Sequence, residues 1–324
     1  MTTRPSASAV DAVAAHLTTA GLVVGRDVPL APLTTYRIGG SASVFVRPRS
    51  AAELHTVATV VAGHDVPVLV VGRGSNLLVA DDGFDGVAVS LVEYAEDISI
   101  DAEHHRVTAG AAVFLPVLAR RTAAAGLTGF EWAVGVPGSI GGAVRMNAGG
   151  HGSDIARSLV DVGVVDLRAG RSYRLAAADL GLRFRHSDLR DHQVVTESVL
   201  QLAPGDPAAS EAEIADIVRW RREHQPGGHN CGSVFVNPVP GELSAGELID
   251  RLGLRGLRVG GASVSDKHAN FIQADDRATA HDVYALMVEV RRRVAEATGF
   301  ALRSEVRLVG FPDLDAEAAT GVHQ

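Results

Sequence analysis

Residues 135–150, GVPGSIGGAVRMNAGG, decide how the fold is read, because they hold six glycines in 16 residues. Glycine adopts positive φ without strain and lets a backbone approach a ligand closely. Successive amides in such a stretch can also converge on an anion. The loop therefore predicts a binding site for an anionic group. Its composition leaves one alternative open, a set of tight turns around closely packed helices.

A second loop of the same kind covers residues 71–77, VGRGSNL, and follows the apolar run VPVLVV at residues 66–71. It begins like a dinucleotide fingerprint. Leu77, however, stands where the third glycine would fall, and an apolar segment follows where a helix would start. The sequence thus disfavours a Rossmann fold. The two loops together favour a pyrophosphate-bearing cofactor on another scaffold.

Length and composition limit the class of protein. The 324 residues are 46% hydrophobic and 21% charged, which is typical of a globular chain with two or three domains. A net charge of −8 argues against nucleic-acid binding. No apolar run approaches the ~20 residues that span a bilayer, so membrane insertion is not expected. The single cysteine, Cys231, excludes an intrachain disulfide and suits a reducing cytosol.

Several well-known site patterns are absent from the sequence. There is no Gly-Lys-Ser/Thr, no H-E-x-x-H, no paired Cys/His spacing and no G-x-S-x-G. The first residues lack the basic start and continuous apolar stretch of a signal peptide. We therefore expect a cytoplasmic protein with no metal site.

Alternating apolar patterns predict an α+β fold in three blocks, with boundaries at residues 1–91, 92–202 and 203–324. Ser50 with Glu53, and Ser210 with Glu213, are predicted capping boxes, and Gly299 is predicted to end the last helix. Helices are expected near residues 12–20, 51–62, 114–125, from 210 to before 225, and 280–298. Strands are expected near residues 43–47, 66–71, 87–91, 98–101, 105–109, 159–166, 171–175, 193–202, 233–236, 271–273 and 301–309.

Five motifs, in this order along the chain, resemble the UDP-N-acetylenolpyruvoylglucosamine reductase family. The resemblance covers residues 28–310, and several of the motifs are specific to that family. They are TTYRIGG at 34–40, VGRGSNLL at 71–78, GVPGSIGGAVRMNAG at 135–149, GSVF at 232–235 with Asn237-Pro238, and VSDKHANFI at 264–272.

The resemblance implies two N-terminal blocks that bind FAD in the manner of vanillyl-alcohol oxidase (the PCMH type) and a third block that completes the substrate site. It implies NADPH as co-substrate and reduction of an enolpyruvyl ether to a lactyl ether, giving UDP-N-acetylmuramate for peptidoglycan. No His or Cys lies within the two loops, so we expect non-covalent FAD. The predicted cofactor-binding residues are Gly72, Arg73, Gly74, Ser75, Asn76, Leu77, Gly135, Pro137, Gly138, Ser139, Gly141, Gly142, Asn147, Ala148 and Gly149.

Three residues match the catalytic positions of the family. Arg185 could hold the substrate carboxylate with two hydrogen bonds. Glu305 matches a residue that assists the negatively charged intermediate formed by hydride addition to the substrate. Ser233 corresponds to the residue that then donates a proton. Without the resemblance, Arg185 would be interpreted as a surface arginine, Glu305 as an ordinary carboxylate on a strand and Ser233 as a turn residue.

Asn237, Lys267 and His268 are the predicted substrate-binding residues. Asn237 matches a substrate-contacting asparagine of the family. Lys267 is the only lysine among 30 basic residues, and a flexible ammonium suits a phosphate of the substrate or of NADPH. His268 follows it inside the VSDKHANFI motif.

The chain departs from the family pattern at two places. Val236 stands where the family usually has a lysine, and Asn230-Cys231 replaces the usual Ser-Ala before Gly232. Cys231 is then either an oxidation-sensitive thiol or a buried, inert one. Residues 187–201 run directly into a predicted strand, so the chain resembles the shorter subclass, which lacks an inserted tyrosine loop over the substrate.

Two other functions remain open from the sequence. One is a different FAD-dependent enzyme on the same scaffold, such as an oxidase of small alcohols or sugars. The other is a non-catalytic protein that binds a nucleotide sugar or flavin, a reading favoured by Val236.

Overall fold

The structure, a computed structural model, describes residues 7–315. The chain forms two compact units. The larger unit contains residues up to 28, 42–73 and 85–221, and the smaller unit contains residues 29–41, 74–84 and 222 onward. The three-block division at residues 91 and 202 stays a prediction.

Two sheets and five helices build the larger unit. The five-stranded sheet is antiparallel throughout. Its strand order is Arg171–Ala176, Leu159–Asp166, Gln193–Gln201, Arg106–Gly110, Ile98–Asp101. The four-stranded sheet has the order Val24–Pro29, Ser41–Val46, Phe84–Val89, Val68–Val70. The helices are α1 (Ala7–Thr19), α2 (Ala51–Ala62), α3 (Leu115–Ala124), α4 (Ile140–Met146) and α5 (Pro207–His224).

Shorter elements connect these parts of the larger unit. Gly149–Gly150 pairs antiparallel with Ser153–Asp154, and Leu127–Thr128 pairs with Ala203–Pro204. Short 3₁₀ turns cover Glu131–Gly135, Ile155–Arg157 and Ala177–Leu180. The mixture of helices with mainly antiparallel sheets confirms the predicted α+β class.

Helix α2 begins and ends where the sequence predicts, with one difference at its cap. The Ser50 hydroxyl accepts a hydrogen bond from the Glu53 amide at 3.2 Å. The Glu53 carboxylate accepts from the Arg49 amide at 2.8 Å, one residue before the expected position. Helix α1 starts earlier than predicted because its buried stripe already includes Val10.

The predicted capping box at Ser210 is wrong. Helix α5 starts at Pro207. Proline is favoured at the first helical position because an amide hydrogen there would have no acceptor within the helix. The carboxylate of Asp206 accepts from the Ala208 amide at 3.0 Å and caps this end. Ser210 is therefore inside the helix, where it is buried and donates to Glu131 at 2.5 Å.

The smaller unit contains two helices and two small sheets. The helices are α6 (Ala245–Arg251) and α7 (Ala280–Thr298), and a 3₁₀ turn covers Ala31–Leu33. One sheet has the order Arg258–Val259, Ala262–Val264, Ile272–Ala274. The other pairs Leu77–Val79 with Arg307–Val309 in parallel. Helix α7 matches its predicted bounds, and Gly299 ends it with φ +78°.

Two predicted strands of the smaller unit are shorter than expected. Ser233 and Phe235 form only isolated bridges, to Phe271 and Ser304 respectively. The predicted strand at 301–309 is regular only over Arg307–Val309. Each segment changes its pairing partner within a few residues, so neither forms a long uniform ladder.

Each unit has its own hydrophobic core. In the larger unit the apolar faces of helices α1, α2 and α3 pack with inward-facing strand residues such as Val162 and Val194. In the smaller unit Tyr36, Leu78 and Phe235 pack with the stripe of helix α7 that includes Leu286 and Val290. Burial of such side chains contributes ~1.5–3 kcal/mol each to stability.

The first turn of helix α7 is held by a carboxylate from a distant part of the smaller unit. Asp81 accepts hydrogen bonds from the backbone amides of Ala280 and His281, both at 3.0 Å, and lies 2.6 Å from Nδ1 of His281. Burial raises the pKa of Asp81, but these hydrogen bonds outweigh it, and the net pKa is lowered. The ionised carboxylate also suits the positive end of the helix dipole.

We expect Asp81→Asn to destabilise the protein by about 1–2 kcal/mol near neutral pH, because it removes a charged acceptor from the helix start. The folded pKa of Asp81 lies below its ordinary value of 3.8. The stabilisation is therefore complete above that value and is lost as the pH falls through the lower, folded pKa. Urea unfolding at several pH values measures the difference. Asp276→Asn, at an exposed site of the same unit, is the control. Equal stability of the two variants would contradict the role of Asp81.

Candidate functional site

The two glycine-rich loops meet at Gly72 in the larger unit. A Cβ atom placed on Gly72 would lie 2.7 Å from the hydroxyl oxygen of Ser139. Only glycine allows this approach of the first loop to the second. The fold thus brings together two loops that the sequence separates by more than 60 residues.

Arg73, which follows Gly72, has several protein partners. Its Nη2 lies 3.1 Å from Oε1 of Glu96 and 3.3 Å from the carbonyl oxygen of Ala112. Its guanidinium also lies 5.4 Å from the centroid of the Phe114 ring. The side chain therefore anchors the loop, and a contact of Arg73 with a cofactor stays a prediction.

The rest of the first loop belongs to the smaller unit. Gly74 has φ +62°, and its carbonyl oxygen accepts a hydrogen bond from the Thr35 amide at 3.2 Å. Any side chain at Gly74 would overlap the carbonyl of Leu33. Ser75 and Asn76 then lead into the strand that starts at Leu77.

Several amides of the second loop are already used inside the larger unit. The amide of Gly138 donates to Val136 at 2.9 Å. Those of Ile140 and Gly141 donate to Val113 and Ala111 at 3.0 and 2.8 Å. These three amides are therefore not available to converge on an anion. Contacts of Gly135, Pro137, Gly138, Ser139, Gly141 and Gly142 with a cofactor stay predictions.

Asn147 ends helix α4 in the left-handed conformation, with φ +40°. It is buried, and its side-chain amide donates to the carbonyl of Arg183 at 3.1 Å while its oxygen accepts from the Ala156 amide at 3.2 Å. The neighbouring amide of Ala148 donates back to Ala143 at 2.8 Å. The end of the loop is therefore rigid, and Asn147 connects it to the segment that carries Arg185.

Arg185 contacts the end of the glycine-rich loop. Its Nη2 donates to the carbonyl oxygen of Gly149 at 2.8 Å, and its guanidinium lies 4.8 Å from the centroid of the Phe184 ring. Arg183 and His186 exchange backbone hydrogen bonds at 3.1 and 2.9 Å, which makes Phe184-Arg185 the tip of a tight turn. Arg185 has φ +54°. A left-handed non-glycine residue costs about 1–3 kcal/mol and is typical of functional sites.

Ser233 and Glu305 lie on adjacent segments of the smaller unit. The amide of Glu305 donates to the carbonyl of Val234 at 2.9 Å, and the amide of Val236 donates to Arg303 at 2.9 Å. On the other side, Asn270 holds the same segment through both of its side-chain atoms, at 3.0 and 2.8 Å from the backbone of Phe235. Both candidate catalytic side chains are half-buried.

The predicted substrate residues have protein partners in the smaller unit. The side-chain oxygen of Asn237 accepts from the Ala245 amide at 3.2 Å, at the start of helix α6. Nζ of Lys267 donates to the carbonyl of Arg222. Nδ1 of His268 accepts from the Asn270 amide at 3.2 Å. Burial, and then the charge of Arg255, lower the pKa of His268, so its ring is neutral near pH 7.

Cys231 is buried, which removes one of the two alternatives that its sequence position left open. Burial raises the pKa of the thiol to about 12, although a hydrogen bond with Tyr36 acts in the opposite direction. The Tyr36 hydroxyl donates to the carbonyl of Ile272 at 3.1 Å. A buried, protonated thiol is a poor nucleophile, so Cys231 serves as an inert packing residue two positions before Ser233.

One cation beside the second loop was not predicted from the sequence. Arg221 is partly buried, and burial lowers the pKa of its guanidinium. Burial, and then the charge of Arg221, lower the pKa of His151. A Cβ atom on Gly135 would lie 3.3 Å from the His151 ring, and that ring packs edge-on against Trp220. Arg221 falls on the apolar stripe of helix α5, four residues after Ile217, and an arginine on an apolar face was the available signal.

Each unit has polar groups next to its own part of the glycine-rich loops that lack protein partners, which fits a polar cofactor such as FAD. Within residues 7–315, no hydrogen bond or ion pair joins the Arg221 guanidinium to another residue. In the same range the Thr35 hydroxyl and the Trp132 indole nitrogen are buried without a hydrogen-bond partner. Such groups are costly unless a ligand satisfies them. A Cβ atom on Gly150 would meet nothing within 4 Å, so the backbone there leaves a clear surface.

Neither a metal site nor a membrane-spanning helix is found in the described range. No group of three or more His, Cys, Asp or Glu side chains between residues 7 and 315 could hold a metal ion. No helix in that range is long and apolar enough to cross a bilayer.

Two family models match this chain. One, an FAD binding domain, matches residues 42–176, which include both glycine-rich loops. The other is the C-terminal domain of UDP-N-acetylenolpyruvoylglucosamine reductase, and it matches residues 224–309, which include Ser233 and Glu305. The predicted FAD cofactor is confirmed by the first match.

Relatives of the same name match over most of their length. The UDP-N-acetylenolpyruvoylglucosamine reductase of Acidiphilium cryptum is 44% identical over 290 residues, which cover 89% of this chain and 92% of the relative. That of Synechococcus sp. strain RCC307 is 40% identical over 304 residues, 93% of this chain and 99% of the relative.

A solved structure supports the predicted fold. The crystal structure of UDP-N-acetylenolpyruvylglucosamine reductase from Thermus caldophilus aligns with a TM-score of 0.74 and 34% identity. The alignment covers 89% of this chain and 99% of that one. The predicted FAD-binding fold of the vanillyl-alcohol-oxidase type with a C-terminal α+β domain is confirmed. By sequence identity, coverage and fold, this chain belongs to the UDP-N-acetylenolpyruvoylglucosamine reductase family.

Proposed function

We propose that this chain reduces UDP-N-acetylglucosamine enolpyruvate to UDP-N-acetylmuramate in the cytoplasm, with NADPH as reductant and FAD as cofactor. The product is a precursor of peptidoglycan. Family membership supports the reaction class. One structural observation carries the proposal to the level of residues. Ser233 and Glu305, the predicted proton donor and carboxyl group, lie on segments joined by the hydrogen bond from Glu305 to Val234.

FAD would be held by the glycine-rich loops, with the Arg221 guanidinium offering hydrogen bonds to its polar groups. When bound, it supplies a hydride, received from NADPH, to the enolpyruvyl methylene carbon. The chain itself must then bind the substrate, stabilise the negative charge that develops on it and deliver a proton.

Arg185 is suited to bind the substrate carboxylate. Hydride addition turns the enolpyruvyl group into an aci-carboxylate, which carries more negative charge than the starting carboxylate. A guanidinium offers two parallel N–H donors to such a group, and it stays charged at any physiological pH. Its bond to Gly149 fixes the orientation of the guanidinium. Preorganised donors of this kind stabilise developing charge without the cost of reorganisation.

Ser233 would donate the proton to the carbon next to the carboxylate. A serine hydroxyl is a weak acid, so the transfer needs a substrate carbanion as acceptor and then a proton from water to restore the hydroxyl. The rigid backbone on both sides of Ser233 supports accurate placement of its oxygen. Glu305 can assist only as a hydrogen-bond donor, because an ionised carboxylate would repel the developing dianion.

The diphosphate of the substrate needs donors, and three remain at the predicted residues. Asn237 keeps its NH₂ group, since its oxygen is already bonded to Ala245. His268 is neutral and accepts at Nδ1, so its proton is on Nε2, which can donate. Val236 is buried and packs as a core residue. Lys267, on an exposed segment, is then the cation that takes the place of the family's usual lysine.

Anaerobic mixing of NADPH-reduced protein with UDP-N-acetylglucosamine enolpyruvate tests the reaction. We expect rapid reoxidation of the flavin with formation of UDP-N-acetylmuramate, and we expect Ser233→Ala to slow this step by ~10²–10⁴-fold while NADPH still reduces the flavin. Stopped-flow absorbance follows both half-reactions. Ser263→Ala, on a nearby strand of the same unit, is the control. Wild-type protein that reoxidises only in air would point to an oxidase instead.

Replacement of Arg221 by Met tests the cation beside the second loop. We expect the Kd for FAD to rise about tenfold or more, because a charged hydrogen bond to a phosphate contributes ~1.5–3 kcal/mol and 1.4 kcal/mol corresponds to tenfold. Fluorescence titration of flavin-free protein measures it. Arg219→Met is the matched control, since Arg219 is on the same helix but exposed and paired with Asp216 at 2.6 Å. The role of Arg221 is rejected if both variants bind FAD as tightly as wild type.

A further inference from the structure

We propose that Asn76 is a positioning residue for Glu305. Its side-chain amide binds the backbone of Glu305. This hydrogen bond fixes the position of the candidate catalytic carboxyl group relative to Asn76 in the first glycine-rich loop. This inference rests on the proposed function, in which Glu305 assists the reaction. It assigns to Asn76 a role beyond that of a cofactor contact.

Two hydrogen bonds join Asn76 to the closing segment of the smaller unit. Nδ2 of Asn76 donates to the carbonyl oxygen of Glu305 at 2.9 Å. The amide of Arg307 donates to the carbonyl oxygen of Asn76 at 3.0 Å. One residue thus binds the closing segment at Glu305 through its side chain and at Arg307 through its backbone.

The side-chain bond is needed because the regular strand pairing stops short of Glu305. The parallel ladder pairs Leu77 with Arg307 and Val79 with Val309. Glu305 lies beyond the end of this ladder. The side-chain amide of Asn76 provides one more hydrogen bond past the end of the ladder, and this bond holds the Glu305 backbone.

Both backbone groups of Glu305 are bound, and each bond leads to a different part of the site. Its N–H donates to Val234, next to the proton donor Ser233. Its C=O accepts from Asn76, in the part of the first glycine-rich loop that belongs to the smaller unit. The Glu305 backbone therefore connects the segment that carries Ser233 to this part of the first loop. Loss of either bond would let the carboxyl group shift relative to the other part.

A small displacement of the Glu305 carboxyl group is enough to slow the reaction. A hydrogen bond of this kind gives a modest net stabilisation, and leaving a half-buried carbonyl without its donor costs a similar amount. Misplacement of a catalytic group by 1 Å lowers rates by up to about 10². We therefore expect removal of the Asn76 amide to slow the substrate-reducing step about tenfold.

The first experiment separates positioning of Glu305 from flavin binding. In Asn76→Ala and the isosteric Asn76→Asp, saturated with FAD, we expect flavin reduction by NADPH to stay within twofold of wild type. Reoxidation by the enolpyruvyl substrate should slow about tenfold, with KM changed less than kcat. Gln273→Ala is the control, because Gln273 also donates to a backbone carbonyl of this unit, Gly227, at 2.9 Å.

A double-mutant cycle tests whether Asn76 acts through Glu305. In a Glu305→Ala background, which removes the donor, we expect Asn76→Ala to add little further loss, since residues that act through one group are not additive. Hydrogen exchange of the FAD-bound protein without substrate gives a readout without turnover. The amide of Glu305 and its neighbours to Arg307 should exchange faster in Asn76→Ala than in wild type or Gln273→Ala.

Three results would overturn the inference while leaving the proposed function intact. They are an equal slowing of both half-reactions, full additivity with Glu305→Ala, or unchanged exchange near Glu305. If wild-type protein does not reoxidise with the enolpyruvyl substrate, the proposed function fails instead, and the hydrogen-exchange result still decides whether Asn76 holds the Glu305 backbone.

Discussion

No side chain fits at Gly74, because the carbonyl of Leu33 occupies the space that a Cβ atom would need. This steric constraint determines the course of the first loop, and much of the smaller unit depends on it. The left-handed turn at Gly74 directs the chain so that Asn76 reaches Glu305 and Leu77 enters the parallel pair with Arg307. The placement of a candidate catalytic carboxyl group thus follows from a glycine far away in sequence.

In the larger unit the same principle acts at Gly72 and around Asn147. Close backbone approach brings the loops together, and buried side-chain amides then lock their ends. The glycines allow the close approach of the chain, while several backbone amides of the second loop donate hydrogen bonds within the unit itself. The same unit contains a partly buried cation, Arg221, and an unsatisfied donor, the indole nitrogen of Trp132. Glycine-rich composition alone therefore overstates the number of amides available to a ligand.

Local patterns predicted the regular elements well and the irregular site poorly. Helices α2 and α7 and the strand Leu159–Asp166 have the expected bounds because their apolar spacing and caps agree. The Ser210 cap failed because Asp206-Pro207 offered an earlier start. Ser233–Val236 is irregular because two different segments hold its edges.

The candidate catalytic residues came from family resemblance, since spacing alone gave Arg185 or Glu305 no special status. The contact of Asn76 with Glu305 spans 229 positions, and no local signal could have indicated it. Arg221, by contrast, could have been found, because a charged residue on the apolar stripe of a helix is a visible irregularity.

The discontinuous smaller unit has a consequence for synthesis of the chain. Its strand Leu77–Val79 pairs with Arg307–Val309. Leu77–Val79 is therefore synthesised long before the strand with which it pairs. The larger unit is complete once residue 221 has left the ribosome. Contacts of such large sequence separation form slowly. During translation the edge of Leu77–Val79 is therefore unpaired for most of the time the chain is being made, and it is the segment most exposed to chaperones and to aggregation.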